Sequence, residues 1–121
     1  MSTHPGAAIP HAWIQHDHQM ISSHDVVGHG VFTVVTGIGG EPWQQAARTV
    51  GDELGIDVPV RVIGRHCEYD DVYGEWADVR EITDHGALLV RPDHHVAWRS
   101  HELVDSPEDA LRAALLHVLA R

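Results

Sequence analysis

Gly86-Ala-Leu-Leu-Val-Arg-Pro-Asp-His-His-Val-Ala-Trp-Arg99 reads as two short strands around a tight turn. The apolar run Ala87 to Val90 meets Pro92-Asp93, where proline presets φ and the aspartate side chain can bond its own backbone. A second run then carries Val96 and Trp98. Upstream, Val31-Phe-Thr-Val-Val-Thr36 predicts a buried strand, β-branched and aromatic, bounded by Gly28, Gly30 and Gly37. Gly37-Ile-Gly-Gly40 reads as a loop, and Glu41-Pro42 opens a helix with proline in its first turn. Trp43, Ala46, Ala47, Val50 and Leu54 then form one apolar stripe at helical spacing, with Gly55 as the C-terminal cap. Val58 to Ile63 supplies the next strand.

The remaining segments complete the order. Residues 1–8 read as a loose terminus. Ile9 to Ile14 and Met20 to Val27 each supply a short strand around a polar turn, Gln15 to Gln19. Arg65 to Gly74 is an acidic loop, and Glu75 to Ile82 about two helical turns with Trp76 and Val79 inward. Ser106-Pro-Glu-Asp109 caps a last helix whose buried face is Leu111, Ala114, Leu115, Val118 and Leu119. Strand, helix, strand, helix, hairpin, helix is the thioredoxin plan. The class is α/β, a mixed central sheet with helices on both faces, and residues 1–121 form a single domain. A βαβ crossover makes the first two core strands parallel, and the hairpin adds two antiparallel ones. The N-terminal strands then lengthen the sheet or cover an edge.

Composition narrows the function. A chain of 121 residues, 43% apolar and 21% charged, suits one conventional core. No run approaches the ~20 apolar residues of a membrane span, and no basic-then-apolar leader opens the chain, so a cytoplasmic location is expected. The formal charge is −10, all eight bases are arginine and no basic patch occurs, which argues against nucleic-acid binding.

The residues also exclude chemistry. A working thioredoxin carries Cys-x-x-Cys where the first core strand meets its helix, because the helix N-terminus stabilises a thiolate. Here that junction is Gly37 to Trp43, which has no cysteine, and no proline stands at His85-Gly86, where the cis-proline belongs. Dithiol redox chemistry is excluded by residue type. The glycines 37, 39 and 40 follow a strand and open a helix, as a phosphate loop does. The spacing is nevertheless wrong for G-x-G-x-x-G, and Glu41 would repel a phosphate.

Cys67 is the single cysteine, so it forms no internal disulfide. His66 would lower its pKa, while Glu68, Asp70 and Asp71 would raise it, and it reads as a structural thiol. The twelve histidines (His4, His11, His16, His18, His24, His29, His66, His85, His94, His95, His101, His117) offer fragments of a zinc site rather than a converging set. His94 and His95, read as strand residues, would point to opposite faces. Trp43 and Trp98 read as core, and Trp13 as a partner-facing side chain. No catalytic, cofactor-binding or metal-binding residue is assigned, and no cofactor is expected.

The chain also resembles a known family almost end to end. Pro10-His-Ala-Trp-Ile14, Ser23-His-Asp25 through Thr36, Asp70 or Asp71 with Gly74 and Trp76, the Gly86–Arg99 hairpin and Asp105 to Arg121 resemble, in order, the tail of FAD-dependent aromatic-ring hydroxylases of the phenol and 2,4-dichlorophenol monooxygenase type. The resemblance implies a thioredoxin-like C-terminal domain without redox cysteines, associated with subunit contacts and stability. Flavin and substrate are handled there by larger preceding domains, whose glycine and Gly-Asp motifs are absent here. No catalytic residue carries over. His94 departs from the glycine usual after Pro-Asp, at a strain cost on the order of 1 kcal/mol if that position needs positive φ.

The resulting expectation is a stand-alone, non-catalytic homologue of that tail. It would act as a dimerisation or accessory interaction module whose partner is itself or a flavin-dependent monooxygenase. Two alternatives stay open: a small enzyme or ligand-binding protein for an aromatic or polyketide-type metabolite, with a pocket near Trp13 or Trp98, and a histidine-rich metal binder. Protonating all twelve histidines would move the formal charge from −10 to +2. Solubility and self-association should therefore change steeply between about pH 7 and 5, which light scattering across that range checks.

Overall fold

A computed structural model describes residues 3–119. One seven-stranded sheet runs through it, built from β1 (Trp13–His16), β2 (Gln19–Ser22), β3 (Thr33–Thr36), β4 (Val60–Gly64), β5 (Tyr69–Asp70), β6 (Ala87–Val90) and β7 (Val96–Ser100). The strand order is β2-β1-β5-β4-β3-β6-β7. β4 lies parallel to both β3 and β5, and every other neighbouring pair is antiparallel. The helices are α1 (Ser23–Val26), α2 (Glu41–Leu54), α3 (Glu75–Val79) and α4 (Pro107–Leu119). This is the mixed α/β sheet expected from the order of elements. No helix among the described residues is long and apolar enough to cross a membrane.

Period-two alternation divides the core between the sheet's two faces. Val34 and Leu89 pack with Trp43, Ala46, Ala47 and Val50 of α2 and Leu111 and Leu115 of α4. Val35, Leu88 and Val90 face the other way, against Ile14, Val26, Ile63, Trp76 and Ile82. Trp43, Ala46, Ala47 and Val50 of the α2 stripe are buried as their spacing predicts, Leu54 is half-buried at its end, and Gly55 closes the helix at φ 70° with its N–H on the Gly51 carbonyl. Arg112 clamps α4 to α2 with two bonds to the Glu53 carboxylate, both 2.8 Å. That guanidinium holds the Glu53 carboxyl below its ordinary range.

A bulge sets the position of Trp98. Leu89 pairs with Trp98 but Val90 pairs with Val96, so Ala97 is an extra residue in β7. Without it, Val96 and Trp98 would share a face. With it, Val96 joins the cluster of Ile9, Ile14 and Ile63 while Trp98 meets Trp43 edge-on, ring centroids 5.6 Å apart. Simple alternation does not reveal this switch.

Several boundaries differ from the sequence reading, each for a local reason. Ile9 to Ala12 lie outside any strand, and β1 begins at Trp13. The first turn narrows to Asp17 and His18, both at positive φ (51° and 64°), the backbone that matches strand twist in a two-residue hairpin. Ser23–Val26 is helical rather than extended because Ser22 and Asp25 form a reciprocal capping box. The acidic loop contains β5. His94 and His95 belong to the hairpin turn, not to a strand. At the chain's end Val118 is half-buried and Leu119 is 43% exposed, so neither completes the buried face of α4.

The loose-terminus reading also gives way for residues 3–8. Thr3 is 0% exposed; its N–H bonds the Glu81 carboxylate at 2.8 Å and its hydroxyl the Arg80 carbonyl at 2.6 Å. Gly6 and Ala7 exchange backbone bonds with Val96, and Ala8 bridges His95 in antiparallel sense. The segment thus lies along the outer edge of β7.

Asp71, buried beneath α3, settles which of two adjacent acids anchors that helix. Its two carboxylate oxygens accept the Trp76 and Ala77 N–H groups, each at 3.0 Å. Gly74, at the cap position, has no side chain to do so. Asp71→Ala should lower unfolding stability by about 2 kcal/mol, and Asp71→Asn by less, because one amide oxygen retains one bond. Urea denaturation measures both, and an unchanged midpoint would remove the anchoring role.

Candidate functional site

The corner where β3 hands over to α2 is the place in this architecture where thiol chemistry would reside. Here it is built from backbone. Thr36 Oγ1 donates to the Gly86 carbonyl at 2.5 Å, and the Trp43 indole N–H to the His85 carbonyl at 2.8 Å. The Gly39 N–H reaches the Asp84 carbonyl at 3.0 Å. The 84–86 loop is itself fixed: the Gly86 N–H bonds the Thr83 carbonyl and the Thr83 N–H the His101 carbonyl. Three chain segments meet with no gap between them.

The glycines are the condition for that contact. A Cβ on Gly37 would lie 2.7 Å from Asp84 Cα, one on Gly39 2.5 Å from the His85 ring, and one on Gly86 2.4 Å from the His101 carbonyl oxygen. On Gly40 it would overlap the Thr36 side chain. The Gly-Ile-Gly-Gly run therefore serves close packing. A phosphate cradle needs outward-pointing N–H groups, but those of Gly39, Gly40 and Trp43 already reach the carbonyls of Asp84, Gly37 and Gly40. Ile38, by contrast, is 66% exposed. Every peptide bond described, including His85-Gly86, is trans. The contacts of Thr36 with Gly86 and of Trp43 with His85 span more than 40 residues of chain. The only sequence signal for them is the glycine spacing.

Cys67 lies on the loop after β4, its Sγ 3.8 Å from the Arg65 carbonyl. Partial burial raises its pKa, and Asp70 and then Asp84 raise it further. The direction matches the sequence expectation; the largest cause is burial, and Asp84 acts where Glu68 and Asp71 were expected.

The histidines spread over separate local contacts. His16 stacks on Tyr69 with centroids 4.3 Å apart, and His11 meets Trp13 edge-on at 4.8 Å. His24 stacks on His94 at 5.7 Å, with His11 a further 6.5 Å from His24. His29 bonds the Asp25 carbonyl and His101 the Glu81 carbonyl. Among the described residues no three His, Cys, Asp or Glu side chains converge as a metal would need. Trp43 and Trp76 are fully buried, whereas Trp13 is 45% exposed, as the sequence suggested. Beside Trp13 lies a groove of about 280 Å³ lined by His11, Glu75, Asp78 and Val79, and beside Trp98 one of about 260 Å³.

Comparison with known proteins accounts for a fold so complete around so quiet a corner. The family model described as aromatic-ring hydroxylase, C-terminal, matches residues 2–121. The chain is 47% identical over 122 aligned positions to 2,4-dichlorophenol 6-monooxygenase of Cupriavidus pinatubonensis, covering 99% of this chain and 20% of that protein. It superposes with a TM-score of 0.89 and 43% identity on the flavin-dependent monooxygenase PieE, solved with FAD and substrate, covering 98% of this chain and 20% of PieE. A Chlorobium tepidum chain classed as a thiol:disulfide interchange protein, DsbE, matches with a TM-score of 0.59 at 14% identity, covering 98% of this chain and 99% of that one. That likeness concerns the fold alone, which is thioredoxin-like. The chain spans about a fifth of the length of the curated relatives it matches. By its residues, its fold and these matches, it belongs to the aromatic-ring hydroxylase C-terminal family.

Proposed function

We propose that this chain is a non-catalytic interaction domain of a cytoplasmic flavin-dependent aromatic hydroxylase system, packing against a second copy of itself or against a flavin-binding monooxygenase body. The observation that carries this reading is the sealed β3–α2 corner. Where a thioredoxin presents sulfur, this chain presents glycine backbone bonded to the 84–86 loop. Family membership supplies the partner class. Trp13 and Met20, both exposed on the β1–β2 hairpin, supply apolar surface of the kind that fills interface cores. FAD and aromatic substrate would be handled outside this domain.

The test combines size-exclusion chromatography with light scattering on the purified chain. A binding assay against the flavin-binding portion of a phenol or dichlorophenol monooxygenase accompanies it. A dimer at micromolar concentration, or a complex with the flavoprotein, is the expected result. A chain that stays monomeric and ignores the flavoprotein overturns the reading.

Thiol chemistry offers a second check. Because the Cys67 pKa is raised, less thiolate is present at pH 8 than in a free thiol. Alkylation by iodoacetamide at that pH should run several-fold slower than with glutathione, and the chain should not reduce insulin disulfides. Faster alkylation would mark an activated cysteine.

A further inference from the structure

The His24–His94 stack joins α1 to the turn between β6 and β7. His94 sits in the hairpin turn between β6 and β7 at φ 69°, a left-handed backbone uncommon outside glycine, in which histidine is one of the better tolerated side chains. Its ring packs directly on Gly28, itself at φ 92°; a Cβ on Gly28 would lie 2.6 Å from His94 Nε2. The same ring stacks on His24 of α1, with centroids 5.7 Å apart and planes 16° from parallel. Below the rings, the Ile9 N–H donates to the His94 carbonyl at 2.8 Å. One residue thus ties the hairpin turn to α1, to the loop before β3 and to the N-terminal segment.

We propose that His24 and His94 form a pH-sensitive clasp, closed while at least one ring is neutral and loosened when both are protonated. Two stacked neutral imidazoles, or one neutral and one charged, attract through ring contact. Two imidazoliums at this separation repel. The surroundings offer little compensation. On α1, the Asp25 carboxylate already accepts the Ser22 N–H at 3.1 Å. In the following loop, His29 bonds the Asp25 carbonyl. On the hairpin, Asp93 is engaged by Arg91 and by His95, and from the N-terminal segment His11 adds a third titratable ring. Both clasp rings are only partly buried, so protons reach them from solvent. Acidification through the histidine range therefore weakens this junction before it affects the apolar core.

A double-mutant cycle tests the clasp in the intact chain. His24→Ala, His94→Gly and the double variant are unfolded in urea at pH 7.5 and pH 5.5. The glycine relieves the backbone strain, and the cycle subtracts that gain. A favourable coupling at pH 7.5 that vanishes or reverses at pH 5.5 is expected. The change should be on the order of tenfold in the folding equilibrium, between the roughly threefold of a unit-charge repulsion at this distance in bulk water and the roughly hundredfold near a protein surface.

Hydrogen exchange of the wild-type chain gives a second readout that does not depend on the variants remaining folded. Between pH 7.5 and 5.5 the Ile9 amide should lose about tenfold more protection than the Leu89 amide of the core, after correction for intrinsic exchange. A coupling absent at pH 7.5, a coupling equal at both pH values, or parallel protection at Ile9 and Leu89 would each overturn the clasp.

Discussion

Close approach of backbone to backbone at the end of β3 is the constraint around which the domain is arranged. Gly37, Gly39, Gly40 and Gly86 leave no room for a Cβ, and that lets Thr36 and Trp43 bond the carbonyls of the 84–86 loop. Trp43 then enters the core as the first residue of the α2 stripe and meets Trp98 on the same face of the sheet. α4 packs on the same layer. A Cβ on Gly37 would collide with the Asp84 backbone, push the loop away and leave buried polar groups without partners, each costing about 1–3 kcal/mol. The same contact that holds the fold also occupies the space that a reactive group would need.

A thioredoxin-like architecture therefore persists here with its usual chemistry replaced by packing. Fold and activity separate readily, since activity belongs to a few groups placed on a scaffold. In this chain, the scaffold carries fully buried cores on both faces of the sheet, while the only thiol lies elsewhere and is pushed toward its protonated form. Partner surfaces need only shape and exposed apolar groups, and the exposed Trp13 and Met20 stand on a hairpin that adds to the sheet without contributing to the corner.

Much of this was legible in the chain itself. Val34 and Val35, the Trp43–Leu54 stripe with Gly55, and the Ala87–Val90 run announce themselves because burial repeats with the period of the element. Two-residue β5 and four-residue α1 are too short to show any period, and the Ser22–Asp25 capping box that makes α1 helical emerges only in the folded chain. The Ala97 bulge is invisible to alternation because it breaks it. Asp70 and Asp71 are equivalent as letters, and burial beneath α3 separates them. Thr3 and the 84–86 loop act through partners dozens of residues away, so their roles appear only once the chain is closed. The histidines gave number without geometry, and the fold scatters them among local contacts with one stacked pair, His24 and His94.

The segment from Thr3 to Ala8 has a consequence for assembly. Its backbone bonds cover the start of one margin at Val96, whereas β2 at the opposite margin pairs with β1 alone among the described residues. An added strand from another copy would therefore meet an unguarded backbone at β2 and a capped one where β7 begins.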